Sequence, residues 1–458
     1  MKRAVAILCT LFLIAVGLYL ADRILLMKRW DGIVPMRSFY AQDRDSIDLL
    51  LMGSSNAGVN LDAEVLWTEY GISAYALWGP MQSYWNTYYN LKEALKTQHP
   101  KAVVLDVYAS KMTGEYLDET RALVNVLGMK QGVNRICSVF LSLPPGKRLT
   151  AILGLPIYHG RYGELTQNDF AFFPWSKERK ADKGTSVRYG TFGNTDMEYP
   201  MVEPLPTSQK QEKWLREIAA LCEKKRIQLV LIKTPVTDRR DAAPFYRGAG
   251  QLARELDIPY WDFNELDAEI GLTPFDYWTD GDHLNTQGGR KVSRALAEKL
   301  KEIVALPDHR GDARYDTWEQ FAEEMQTDYL RQITDIKEYE EERIARPRKM
   351  IAVISEEQLP DTLLWTGFEG PGIYVITGNM LKKIEPLRAG FAETVIEGKP
   401  ITADFSNGTG ISVDKKNIYC YKLMDPSIIL IPVGKDGTVA DVVTLRKGNE
   451  YDMERLSR

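Results

Sequence analysis

Cysteine and histidine are scarce in this chain, with four of each among 458 residues. Cys9, Cys137, Cys222 and Cys420 lie too far apart for a redox or zinc motif, and His99, His159, His283 and His309 are equally scattered. No multi-histidine metal site and no cofactor are therefore expected. A basic excess is missing too: 58 Lys and Arg face 63 Asp and Glu, a formal net charge of −5. Nucleic-acid proteins ordinarily present a basic surface, so no nucleic-acid partner is expected. The mild acidity is what solubility asks for. Low-complexity tracts and internal repeats are absent. Beyond the first thirty residues there is no second long apolar run, which leaves one membrane crossing at most.

What is present begins at that N-terminus. Lys2 and Arg3 precede an apolar run from Ala4 to Ala21, interrupted only by Thr10. The run is close to the roughly 20 residues that span a bilayer as a helix. Tyr19 and Leu20 before Ala21 make a poor cleavage site, so residues 1–30 read as an uncleaved signal anchor. The remainder then lies on one side of a cell membrane, as an extracytoplasmic, single-pass protein.

At 44% apolar residues the rest can bury a sizeable core, and its length asks for more than one domain. Residues 44–305 alternate short apolar runs with helical patterns. The runs are Ile47 to Met52, Ile72 to Leu77, Ala102 to Tyr108, Ile227 to Ile232 and Pro259 to Phe263. Helical patterns cover Tyr84 to Lys96, Ser208 to Arg226, Phe245 to Leu256 and Gln287 to Val304. Such alternation predicts an α/β fold with a parallel five-stranded sheet covered on both faces. The alternation lapses over 111–206, an insertion with helical patterns that could form a lid. Residues 306–349 are strongly charged and read as a solvated helical connector. From 350 to 458 the pattern becomes β-rich, with a hairpin signal at Lys435-Asp436-Gly437 between runs 427–433 and 438–445.

Two local motifs carry chemistry. Gly53-Ser54-Ser55-Asn56 follows the first strand, at the sheet edge where sites on such folds form. Asp280-Gly281-Asp282-His283-Leu284-Asn285 precedes the last helix. An aspartate three residues before a histidine can accept the imidazole Nδ1 proton and leave Nε2 facing a serine. Asp282 is a second carboxylate able to take that place. Trp78, Tyr84 and Trp85 could stack on a sugar, although aromatics beside a parallel sheet are usually core. His99 and His309 read as surface or linker residues.

With these motifs at the first strand and the last helix, the region from Ile47 to Val304 resembles the SGNH (GDSL-type) hydrolases. The resemblance implies a flavodoxin-like three-layer sandwich and a catalytic triad of Ser55, His283 and Asp280. It also implies an oxyanion hole made by the amides of Ser55 and Gly79, the glycine of Trp78-Gly79-Pro80. The family's third motif supplies an asparagine after the next strand. Here Asp106-Val107-Tyr108 stands instead, and Tyr108 is the substitute considered; His159 is a further candidate for substrate contact. Membrane-anchored members with a Gly-Ser-Ser turn and a helical insertion resemble enzymes of teichoic-acid D-alanylation and exopolysaccharide O-acetylation. That likeness implies an esterase or O-acyltransferase acting on a cell-envelope polysaccharide or teichoic acid, with a membrane-bound acyltransferase as partner. A non-catalytic scaffold that binds a polymer, and a lipid esterase, are the alternatives.

Overall fold

The computed structural model describes residues 2–26, 31–166, 169–170, 181–186, 188, 199–236, 241–273, 276–278, 282–327 and 329. It also describes the strands between 350 and 455. The chain divides into two compact units, with the boundary after residue 332.

The first unit opens with helix α1, Lys2–Leu25, whose stretch Val5–Leu25 is long and apolar enough to cross a membrane. After α2 (Ile33–Phe39) the chain enters β1 (Leu49–Gly53), α3 (Ser55–Val59), α4 (Ala63–Tyr70), β2 (Ala74–Trp78), α5 (Tyr84–Ala94) and β3 (Ala102–Asp106). The insertion contributes α6 (Glu119–Val126), α7 (Val133–Ser142), α8 (Pro145–Leu153) and α9 (Leu155–Tyr158). The alternation then resumes with α10 (Gln209–Lys225), β4 (Gln228–Lys233), α11 (Ala243–Glu255), β5 (Tyr260–Asp262) and α12 (Thr286–Lys301).

The five strands form one parallel sheet in the order β2-β1-β3-β4-β5. This is the flavodoxin-like order, and the expected α/β sandwich with a helical insertion is what the chain adopts. β1, β2 and β3 are buried at every position, which is why they read as continuous apolar runs. Trp78, Tyr84 and Trp85 are core residues, fully buried and hydrogen-bonded to Gly184 O, Ser110 Oγ and Ser142 Oγ. β2 is an edge strand, and residues 181–186 cover it: Ala76 N donates to Lys183 O at 2.9 Å.

The expected connector begins as part of this unit. A helix over 316–327 (α13), with Tyr315 before it, buries Tyr315, Trp318, Phe321 and Ala322. Trp67 of α4 stacks on Tyr315 with ring centroids 6.0 Å apart. His309 is no bare linker residue either. Its ring stacks on Tyr315 at 3.9 Å and its Nε2 pairs with Asp48. The remainder of the charged stretch lies outside the described residues, 329 apart.

The second unit is β-rich. One antiparallel sheet has four strands, spanning Phe391–Ile396, Lys399–Asp404, Gly410–Val413 and Lys416–Tyr419. A six-stranded mixed sheet includes Ile428–Val433 paired antiparallel with Val443–Leu445. Those two strands carry the expected pairing, while Lys435-Asp436-Gly437 lies outside the described residues.

One buried charge in the first unit gives a stability prediction. Asp62 caps α4 by accepting from Glu64 N at 2.9 Å. Burial, and then the neighbouring Glu64, push its carboxyl up to about 6, against the pull of Arg290. The folded value lies above the unfolded 3.8, so this group's stabilising contribution is full below the unfolded value and is lost as pH rises through about 6. Asp62→Asn keeps the cap and removes the charge. Its melting temperature relative to the parent should climb between about pH 4 and about pH 7; a pH-independent difference would contradict the burial of a charge there.

Candidate active site

The site is assembled at the C-terminal edge of the sheet. β1 ends at Gly53, whose φ of +133° is a backbone state that side chains rarely adopt. A Cβ there would also press to 3.0 Å on Asp106 O. Ser54 and Ser55 then take different roles. Ser54 is buried and caps α3: its Oγ accepts from Asn56 N at 3.3 Å and lies 3.2 Å from Asn56 Oδ1. Ser55 is the first helical residue and half-buried, and its Oγ sits 2.8 Å from His283 Nε2. The structure thus brings together the serine and the histidine that the sequence singles out, across 228 positions. Asp280 lies outside the described residues.

The loop that carries His283 is held from both sides by asparagines of the serine turn, which sequence reasoning missed. Asn56 Nδ2 donates to Asp282 O at 3.2 Å, and Asn60 Oδ1 accepts from Leu284 N at 2.9 Å. Trp278 N donates to His283 O at 2.8 Å, and Asn285 N donates to Asp276 O at 2.9 Å. Asn285 then caps α12 by accepting from Gly288 N at 3.1 Å. The Trp278 ring lies edge-on to the imidazole at 6.4 Å. Arg188, in the later part of the insertion, reaches this loop as well: its backbone O accepts from Thr286 N at 3.2 Å, and its guanidinium lies over Trp278.

Beneath the serine turn sits a fully buried ion pair. Lys233 Nζ is 3.3 Å from Asp106 Oδ2, with neither side chain exposed. The same oxygen accepts from Thr234 N at 2.9 Å and Thr234 Oγ1 at 3.0 Å, while Oδ1 accepts from Tyr108 N at 2.9 Å. Burial pushes the Lys233 ammonium below the ordinary lysine range, and Asp106 pulls it back. Asn60 Nδ2 donates to Thr234 Oγ1 at 3.1 Å and so links this cluster to the histidine loop.

The other expected residues fall as follows. Gly79 follows β2, and its amide donates to Gly53 O at 3.4 Å, a long bond that extends the parallel ladder. Asn125 Oδ1 would lie 2.3 Å from a Cβ at Gly79, so a side chain there would have to displace Asn125. Tyr108 follows β3, with Lys111 Nζ over its ring at 4.4 Å. His159 is exposed, and Nδ1 lies 2.8 Å from Pro156 O. It opens a 3₁₀ turn packed on the end of α1, and the structure brings neither it nor Tyr108 into hydrogen-bond contact with Ser55 or His283. Among the described residues no His, Cys, Asp and Glu cluster could hold a metal.

No family model matches the chain, and no curated protein matches it in sequence. Solved structures align with part of the chain. A candidate acylhydrolase of Bacteroides fragilis aligns at 10% identity over 57% of this chain and 89% of its own, with a TM-score of 0.29. Two variants of an acetyl-xylooligosaccharide esterase from Geobacillus align at 13% and 12% identity over 57% of this chain and 96% of theirs, with TM-scores of 0.28 and 0.29.

The buried pair predicts an asymmetry. With Asp106 gone, the ammonium of Lys233 keeps no carboxylate at hydrogen-bond distance, so Asp106→Asn should cost about 3–5 kcal/mol of unfolding free energy. Lys233→Met leaves the carboxylate its three other donors and should cost less. Denaturant titration of both variants measures the order, and equal losses would refute it.

Proposed function

We propose that the chain is a serine-dependent acyl-ester hydrolase or O-acyltransferase of the SGNH type, acting on a cell-envelope glycopolymer. The observation that carries the reading is Ser55 Oγ poised 2.8 Å from His283 Nε2, while Ser54 is occupied as a helix cap. In this reading Ser55 Oγ attacks the ester carbonyl and its proton passes to Nε2. Asp280 is assigned to Nδ1, holding the tautomer. The tetrahedral oxyanion faces the amides of Ser55 and Gly79, the latter leaving its long bond to Gly53; each donor is worth on the order of 3 kcal/mol of barrier. Collapse expels the alcohol, which takes the proton from His283. Water or a sugar hydroxyl then gives its proton to His283 and attacks the acyl-serine; Ser55 Oγ departs, takes that proton back from His283, and acid or a new ester is released.

The α1 helix is read as a single-pass anchor that keeps this unit at an extracytoplasmic membrane face. That placement supports an envelope polymer as substrate and, in the transfer direction, a membrane-bound acyltransferase as partner. One observation favours a non-catalytic scaffold instead: after β3 the chain runs Val107-Tyr108, with no asparagine side chain to act as a third oxyanion donor. A fluorophosphonate probe separates the two, because a scaffold without an activated serine does not label.

Ser55→Ala should remove aryl-acetate hydrolysis and probe labelling by a factor on the order of 10⁴ or more. Ser54→Ala should keep both while losing about 1 kcal/mol of stability with the cap. Turnover that survives Ser55→Ala would remove Ser55 from the mechanism. Asn60→Ala should lower kcat with little change in KM, because it loosens the base and not the substrate. A change confined to KM would put Asn60 in substrate binding instead.

A further inference from the structure

Helix α7 is built inside out. Its buried side is mostly polar: Asn134, Arg135, Ser138 and Ser142 face inward, with Val139 the one apolar residue among them. They are matched there, since Asn86 Nδ2 donates to Ser138 Oγ at 2.8 Å and to Ser142 Oγ at 2.9 Å, and Asn134 Nδ2 donates to Glu93 Oε1 at 2.6 Å. Its outward side carries Val133, Ile136 and Phe140, one turn apart in succession. Neighbouring α8 exposes Leu149 and Leu153 on its own outward side. These five side chains are between 39% and 74% exposed. A helix facing water ordinarily shows the reverse pattern, and a contiguous exposed apolar face marks an interaction surface.

The position of this face names its occupant. The exit of α1 is gripped by the segment that follows α8, namely α9 and the 3₁₀ turn after it. Arg161 Nη1 donates to Leu25 O and Leu26 O, both at 2.9 Å, and Tyr158 OH bonds Asp22. Arg135 of α7 donates through Nη2 to Ala151 O of α8 at 2.9 Å. Leu26, Val139, Ala151 and Tyr158 share one core cluster. The α7–α8 pair is therefore fixed to the end of the apolar span. Charge points the same way. Between Glu119 and Glu164 the sequence holds no acidic residue and six basic ones, of which Arg135 is buried and Lys147 and Arg161 pair with Glu119 and Asp169, leaving Arg121, Lys130 and Arg148. Among them, Arg148 lies over the Phe140 ring at 4.7 Å, its charge beside an apolar contact. Apolar side chains with basic residues at their margin are what the interface of an anionic bilayer takes up.

We infer that the outward face of α7 and α8 lies in the bilayer interface beside the α1 exit, contacting acyl chains through Phe140 and Leu149 and anionic headgroups through its basic margin. The inference rests on reading α1 as an anchor. The test uses the full chain with p-benzoylphenylalanine at Leu13, Phe140 or Leu149, reconstituted in phosphatidylcholine–phosphatidylglycerol vesicles and irradiated. Intact mass should show a one-lipid adduct at all three positions. An adduct at Leu13 but not at Phe140 or Leu149 overturns the inference and leaves the anchor standing. No adduct at Leu13 removes the anchor and the inference together. In cell membranes, a protein adduct at Phe140 in place of lipid overturns it in favour of a protein partner.

Discussion

The site depends on one joint, the attachment of the short helix α3 to a loop that arrives 228 positions later. Serine and imidazole meet because the peptide groups flanking His283 are fixed, and α3 does the fixing. Asn56 holds the carbonyl before it and Asn60 the amide after it, four residues apart along the serine turn. Both asparagines are buried, so water cannot substitute for them, and an unmet peptide group at such depth costs about 1–3 kcal/mol. Asn60 reaches further, through Thr234 to Asp106, and so ties together the ends of three strands and the histidine loop. Ser55 needs little reorganisation to meet its base. The geometry is set by groups that take no part in bond making.

Much of this frame could be read from the amino-acid order. Leu49–Gly53 and Ala102–Asp106 are apolar because both faces of a parallel strand are covered, and the motif-bearing turns had to fall at strand ends. Asn56 and Asn60 were not legible. Their partners are backbone groups of Asp282 and Leu284, and a backbone group leaves no mark in a sequence. The docked segment 313–327 had a signal that went unused. Tyr315, Trp318 and Phe321 recur every three residues within a strongly charged stretch, and all three are buried. The charge count described the solvent face of that helix and hid the other.

Asp106 shows how a buried carboxylate is satisfied at the end of a strand. An ionised aspartate can only accept. Asp106 accepts from Tyr108 N, Thr234 N, Thr234 Oγ1 and Lys233, and these contacts saturate it. The carboxylate braces the strand ends, and the brace costs a buried lysine. Isolated, such a pair is weak evidence of stability. Here the carboxylate has amide and hydroxyl donors besides the ammonium, which is the condition under which burial of a charge is tolerated.

The same reasoning about matched polar groups bears on the insertion. Sequence periodicity finds α7 as a helix but cannot say which side faces in, because it takes the apolar side to be the buried one. That default fails here because α5 presents Asn86 and Glu93 to α7, and only polar residues can satisfy them. Once the polar side is committed inward, the apolar residues are left outside. In water this arrangement forgoes hydrophobic stabilisation that an ordinary helix of the same composition would gain, about 25 cal/mol for each Å² of apolar surface left wet. That deficit falls as the surrounding medium becomes less aqueous. A helix so arranged, sharing a core cluster with Leu26 at the exit of an apolar span, is best stabilised where the span itself must end.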